Sequence, residues 1–179
     1  MNKVTILDKT FSDFISEERI ENRIAELASQ INAEHKGKDL LFLGILNGAF
    51  LFAASLFRLI ELDAMISFVK LASYEGTSTS GKIKELIGWN EDLRGKTIIV
   101  IEDIVDTGGT VERVVGELKI RGAAEIRIAT LLFKPDAYRK DIPIDYIGFE
   151  IPNNFVVGYG LDYNGYGRNL PSIYTLENN

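Results

Sequence analysis

Glu102 and Asp103 stand side by side at the end of the apolar run Ile98 to Ile101, and Asp106 follows just before Thr107-Gly108-Gly109-Thr110, a segment with almost no side-chain bulk. Three acids at the end of a strand that should be buried are costly unless something pairs with them. Adjacent strand residues point to opposite faces, so Glu102 and Asp103 can form one clamp only if the strand has ended and the backbone turns, as the glycines imply. The Thr-Gly-Gly-Thr segment then opens a helix whose exposed amides and two hydroxyls suit an anion such as phosphate. Carboxylates beside a phosphate need a cation or sugar hydroxyls between them, and a phosphorylated sugar with Mg²⁺ meets both needs. The competing reading is a solvated strand-to-helix turn with a capping Thr or Asp. A Walker A loop fails because no Gly-Lys-Ser/Thr ending is present. An aspartic protease is disfavoured because the chain has one Asp-Thr-Gly triplet, and "VERVVGELKIRG" continues as a helix where that class needs strands.

The elements that must position these residues are legible as alternating patterns. A short strand is expected near Lys3 to Leu7. Ser16 then caps a helix from about Glu17 to His35, with Ile20, Ile24, Leu27 and Ile31 on one face. Next come "LLFLGIL", a helix after Gly48, "AMISFVKLA", the acidic strand, a helix from about Thr110 to Ile120, and "IRIATLLF". Continuous apolar runs indicate strands buried on both faces, hence a mainly parallel sheet flanked by helices, an α/β fold. In such sheets ligands bind beyond the carboxyl ends of the strands, where the acids lie. "SYEGTSTSGK", from Ser73 to Lys82, reads either as a surface hairpin loop or as a lid over a substrate. Residues 1–179 show no linker or repeat, which fits a single domain.

The 179 residues, 46% of them apolar, suffice for a core without disulfides, and the absence of cysteine excludes a thiolate metal site or nucleophile. A formal charge of −6 speaks against affinity built on nucleic-acid phosphates or anionic lipid. The N-terminus has no apolar stretch long enough for a signal peptide, so a cytoplasmic location is expected. The run Leu40 to Ile60 approaches membrane-span length, but Asn47, two glycines and Arg58 divide it into strand, turn and helix. His35, at the end of what reads as a surface helix, is assigned no chemistry, and Trp89 is expected to pack in a core or interface.

"VIEDIVDTGGTV" resembles the phosphoribosyl-pyrophosphate (PRPP) signature of the type I phosphoribosyltransferases, in the form of the hypoxanthine-guanine branch, and Gly148 to Tyr174 resembles that branch's base-binding region. The resemblance runs from about Leu40 to Tyr174. It implies the type I phosphoribosyltransferase fold: a central, mainly parallel twisted sheet flanked by helices, a small hood built from the chain ends and a mobile lid loop. It also implies purine salvage, with Mg²⁺-dependent transfer of a 5-phosphoribosyl group from PRPP to N9 of hypoxanthine or guanine.

Residue by residue, the resemblance assigns Glu102 and Asp103 to the ribose hydroxyls and one Mg²⁺. It assigns Asp106 to proton exchange near purine N7, and the loop Asp106, Thr107, Gly108, Gly109 and Thr110 to phosphate. Leu46, Asn47 and Gly48 would bind pyrophosphate through the backbone across a cis peptide joining Leu46 to Asn47, and Arg168 would contact it through its planar fork. Phe155 would stack on the purine, the main chain at Val156 would meet its edge, and Asp162 would help hold Mg²⁺ through its water shell. Lys134 would donate to the exocyclic oxygen of a 6-oxopurine. Because adenine presents a donor there, this lysine argues for oxopurines. Ser73 and Tyr74 match the pair opening the family's mobile loop. Asn47 and Gly109 stand where many relatives carry lysine. A homodimer or homotetramer is implied, with no nucleic-acid or membrane partner. The rival class is a regulator that keeps the fold but binds RNA or DNA, and a xanthine-preferring enzyme is a variant of the same chemistry.

Overall fold

The protein is described here by a computed structural model that covers residues 2–72, 84–87 and 91–177. Ser73, Tyr74 and the rest of the expected lid to Lys82, together with Trp89, lie outside the described residues.

Six strands form the central sheet in the order β5-β4-β3-β6-β7-β8, comprising β3 (Leu40–Leu46), β4 (Ala64–Ala72), β5 (Lys84–Ile87), β6 (Thr97–Val105), β7 (Glu125–Phe133) and β8 (Tyr146–Glu150). Every neighbouring pair is parallel except β4 with β5. Helices cover both faces, as continuous apolar strands require. On one face lie α1 (Glu17–Glu34) and α2 (Phe50–Phe57), whose Ile20, Ile24, Leu27, Ile31, Phe52 and Leu56 pack with Phe42, Ile99 and Leu131. On the other lies α3 (Gly109–Ile120), where Val111, Val114, Val115 and Leu118 meet Leu41, Leu43, Ile98 and Val100.

Ser16 caps α1 by accepting from the Arg19 N–H at 3.4 Å, as the sequence suggests, and Glu17 and Glu18 occupy the positive end of the helix. The run from Leu40 resolves into β3, a turn and α2. Among the described residues no helix is long and apolar enough to cross a membrane.

The chain ends build a second sheet, the hood, in the order β1-β2-β10-β9 from β1 (Lys3–Ile6), β2 (Lys9–Ile15), β10 (Ile173–Leu176) and β9 (Val156–Val157). β2 is an addition to the sequence reading, which passes from the first strand directly to α1. Its Ser12 and Asp13 interrupt the apolar run, yet Phe11 and Ile15 are buried while Asp13 faces solvent. Burial along β2 follows no simple period of two, since Phe11, Asp13 and Ile15 would share a face in a regular strand. The pairing with β10 shifts register where Ile173 opposes Ile15 and Tyr174 opposes Asp13.

A second correction concerns His35. It is only 2% exposed, and its Nε2 lies 2.7 Å from the Tyr146 hydroxyl, which in turn donates to Glu34 at 2.7 Å. Burial draws the pKa of this histidine below its ordinary value, so in the fold it favours the neutral form. Its role is to join the end of α1 to the start of β8.

Candidate active site

The site sits at the carboxyl ends of β3, β6 and β7, and its geometry follows from how β6 carries its acids. The expectation that the strand has ended before Glu102 is overturned, because β6 continues to Val105. What changes is the alternation. Ile98 and Val100 face α3 while Ile99 and Ile101 face α1 and α2, yet Ile104 joins the latter side and Val105 the former. The parity slips at Asp103, which has no ladder partner on β7 although Glu102 pairs with Thr130 and Ile104 with Leu132. The Asp103 carboxylate instead accepts the Ile104 N–H at 2.8 Å. The slip lets neighbouring carboxylates meet without the strand ending.

Glu102 is 7% exposed and its Oε2 has no hydrogen-bond partner. Burial first, and then the charge of Asp103, raise its carboxyl well above the usual range, and it shares a hydrogen bond with Asp103. Burial also raises Asp103, against the hydrogen bond from Glu102, the Ile104 N–H and the positive charge of Arg168. A buried pair of carboxyls with one oxygen orphaned is built to receive something, either sugar hydroxyls or a hard cation. Among the described residues, no three His, Cys, Asp or Glu side chains gather as a metal cluster. Asp162 is engaged elsewhere: it accepts the Gly165 N–H at 2.6 Å and pairs with Arg168 at 2.6 Å.

Beyond β6, Glu102, Val105 and the loop from Asp106 to Thr110 line a cavity of roughly 310 Å³ that also reaches Val111 and Arg113. Gly108 has φ 86° and forms the N-cap of α3. A Cβ there would collide with the ring of Tyr138, so only glycine fits on both counts. Tyr138 is anchored in turn by donating its hydroxyl to the Ile142 carbonyl at 2.6 Å. Gly109 faces open space.

Lys134, directly after β7, is 9% exposed, and its Nζ donates to Asp106 Oδ2 at 3.0 Å. The solvated strand-end lysine is thereby set aside. Ile151 N donates to the Phe133 carbonyl at 2.8 Å, which brings the chain leading to Phe155 alongside Lys134. Phe155 is 47% exposed, with Tyr163 set edge-on to it and Phe11 tilted against it. Val156 begins β9 and is buried.

The hood meets the sheet by backbone against backbone. The peptide joining Leu46 to Asn47 is cis, Asn47 is exposed, and Gly48 packs on Asp103 so closely that a Cβ would overlap its carboxylate. Gly160 in turn packs on the Gly48 carbonyl, and the Gly160 carbonyl accepts from Arg168 Nη1 at 2.6 Å. Tyr159 locks this contact, its hydroxyl reaching Glu21 on α1 at 2.6 Å and Ser55 on α2 at 2.8 Å. We expect Gly48→Ala to cost roughly 1–3 kcal/mol of stability by overpacking and to weaken phosphate-ligand binding. Gly109→Ala, into open space at the start of a helix, should gain about 0.5–1 kcal/mol. Denaturant melts of the two variants check the contrast.

Thus Glu102, Asp103, Asp106, the glycine loop and Lys134 gather at one end of the sheet, and Leu46 to Gly48 and Arg168 close on Asp103 from the hood side. Sequence reasoning overlooked Arg113, whose signal was its position four residues after Gly109 on the same helix, and Tyr159, which carried none.

The chain matches the family described as Phosphoribosyl transferase domain over residues 13–164. It is 41% identical over 167 residues to the hypoxanthine phosphoribosyltransferase of Escherichia coli (strain K12), covering 92% of this chain and 94% of that one. It is 40% identical over 173 residues to the hypoxanthine-guanine phosphoribosyltransferase of Mycobacterium tuberculosis (strain ATCC 25618 / H37Rv), covering 93% and 86%. Among solved structures it resembles a hypoxanthine-guanine phosphoribosyltransferase from Bacillus anthracis str. 'Ames Ancestor' with a TM-score of 0.86 at 36% identity, covering 93% of this chain and 97% of that one.

Proposed function

The chain belongs to the phosphoribosyl transferase family, and from that premise we propose that it is a purine-salvage transferase moving the 5-phosphoribosyl group of PRPP to N9 of hypoxanthine or guanine, with Mg²⁺, to give nucleotide and pyrophosphate. The observation that carries the reading is the buried Lys134 held 3.0 Å from Asp106 beside the glycine loop. It sets a donor for an exocyclic oxygen and an acid for a ring nitrogen next to an anion cradle.

Residues 1–179 act in this reading as one phosphoribosyltransferase domain. Asp106, Thr107, Gly108, Gly109 and Thr110 receive the 5-phosphate on loop amides and hydroxyls at the start of α3. Glu102 and Asp103 hold the ribose hydroxyls, and their paired, partly orphaned oxygens fit Mg²⁺, which takes one or two carboxylates and fills the rest of its shell from substrate and water. Bound there, Mg²⁺ supplies charge for the departing pyrophosphate. The backbone of Leu46, Asn47 and Gly48 and the guanidinium of Arg168 receive the same leaving group. Phe155 stacks on the base, the main chain at Val156 meets its edge, and Lys134 donates to its exocyclic oxygen. Asp106 exchanges a proton at N7 as N9 becomes nucleophilic. Asp162 orients Arg168 and reaches the metal through water, and the Ser73–Tyr74 lid excludes water from an activated ribose. A cytoplasmic location and a homodimer or homotetramer belong to the same reading and rest on the family alone.

The test is chromatographic detection of IMP and pyrophosphate from PRPP and hypoxanthine. We expect one pyrophosphate per nucleotide, loss of turnover with EDTA and recovery on adding Mg²⁺. Nucleotide formation undiminished by EDTA would remove Mg²⁺ from the account.

A further inference from the structure

The phosphate loop contains no cation of its own, and the lysines nearest to it are already committed. Lys134 is paired with Asp106 at 3.0 Å, and Lys140 with Glu112 at 2.7 Å. The second pairing neutralises the one acid in the first turn of α3, which would otherwise repel a dianion bound at the helix start. Arg113 differs from both. It lines the same cavity as the loop, is exposed at its mouth, and makes no ion pair or hydrogen bond among the described residues. Glu102 lines that cavity too, and its buried Oε2 has no hydrogen-bond partner, an independent sign of a ligand.

We propose that Arg113 is a further binding residue for the 5-phosphate end of the phosphoribosyl substrate, reaching it from the second turn of α3. Side chains on a helix lean toward its N-terminus, so a residue covers the turn before its own Cα. From position 113 that turn is the one at Gly109, and Gly109 has no side chain and faces open space, leaving the path clear. Val111 and Val114 on either side are buried against the sheet, which fixes the rotation of the helix and holds Arg113 on the cavity side. A guanidinium presents a planar fork of donors matched to phosphate oxygens, complementing the loop amides that approach along the helix axis. In the proposed reading Mg²⁺, held by Glu102 and Asp103, and Arg168 would serve the pyrophosphate end, so the two ends of the substrate would have separate cationic partners.

This inference rests on the reading of the substrate as PRPP, and the test separates the two. Calorimetry is run on the full chain with PRPP, ribose 5-phosphate and inorganic pyrophosphate in turn, for wild type, Arg113→Ala and Arg113→Lys. Arg113→Ala is expected to weaken ribose 5-phosphate and PRPP about tenfold, to leave pyrophosphate within twofold, and to raise the KM for PRPP with kcat little changed. Arg113→Lys should recover part of the loss. Ribose 5-phosphate bound equally by wild type and Arg113→Ala would overturn the assignment, and so would equal weakening of ribose 5-phosphate and pyrophosphate. Failure of wild type to bind either PRPP or ribose 5-phosphate would overturn the substrate reading and the inference with it.

Discussion

Asp106→Asn lowers kcat by about 10²–10⁴-fold, the range that a positioned acid or base contributes, while changing PRPP affinity no more than a few-fold. The substitution keeps the volume of the side chain and an oxygen able to accept from Lys134, so the 3.0 Å contact can persist without the negative charge. The loop amides and the Thr107 and Thr110 hydroxyls are untouched, which is why binding should survive. An asparagine cannot take up a proton, so a step that moves one between the base and position 106 loses its partner. Steady-state kcat set beside the calorimetric Kd for PRPP reads the split. Equal losses in both would make Asp106 a binding residue and leave the proton without an acceptor.

Lys134→Met lowers kcat/KM for hypoxanthine and guanine by about a hundredfold, the scale of a charged hydrogen bond lost from a buried site. Methionine preserves the apolar stem of a residue whose side chain is only 11% exposed, so the fold should hold. Asp106, with a side chain 48% exposed, remains solvated once its partner is gone, and PRPP binding should change little. Competition measurements with each base, together with a PRPP titration, check this. If PRPP affinity collapses instead, Lys134 serves the phosphate loop and the account of base recognition is wrong.

Much of the fold and of the site is legible in the sequence. Apolar runs such as "LLFLGIL" and "AMISFVKLA" coincide with β3 and β4, because strands buried on both faces need unbroken apolar sequence and leave little room for another reading. The helix capped by Ser16 was clear from its spacing, as was the strand-loop-helix unit around Asp106. The features that escaped depend on tertiary context. Strand β2 carries no regular alternation and its register with β10 shifts partway, so its polar residues leave only a weak signal. His35 looked solvated because nothing local announces Tyr146, 111 residues away. The slip at Asp103 could not be read from the alternation rule, which describes a regular strand. The bracing of Gly160 by Tyr159 joins α1, α2 and the hood, three segments remote in sequence. Lys134 and Asp106 were each singled out, but their direct pairing across 28 residues is a property of adjacent parallel strands that only the fold supplies.

The central claim is transfer of a phosphoribosyl group to a 6-oxopurine, and an ultraviolet assay of nucleotide formation from PRPP tests it most directly. Hypoxanthine, guanine, xanthine and adenine are offered in turn, each with and without Mg²⁺. The account predicts Mg²⁺-dependent turnover of hypoxanthine or guanine with adenine inert, because Lys134 offers only donors to position 6. Turnover of adenine at a comparable rate, or no turnover of any of the four by folded protein, would contradict it.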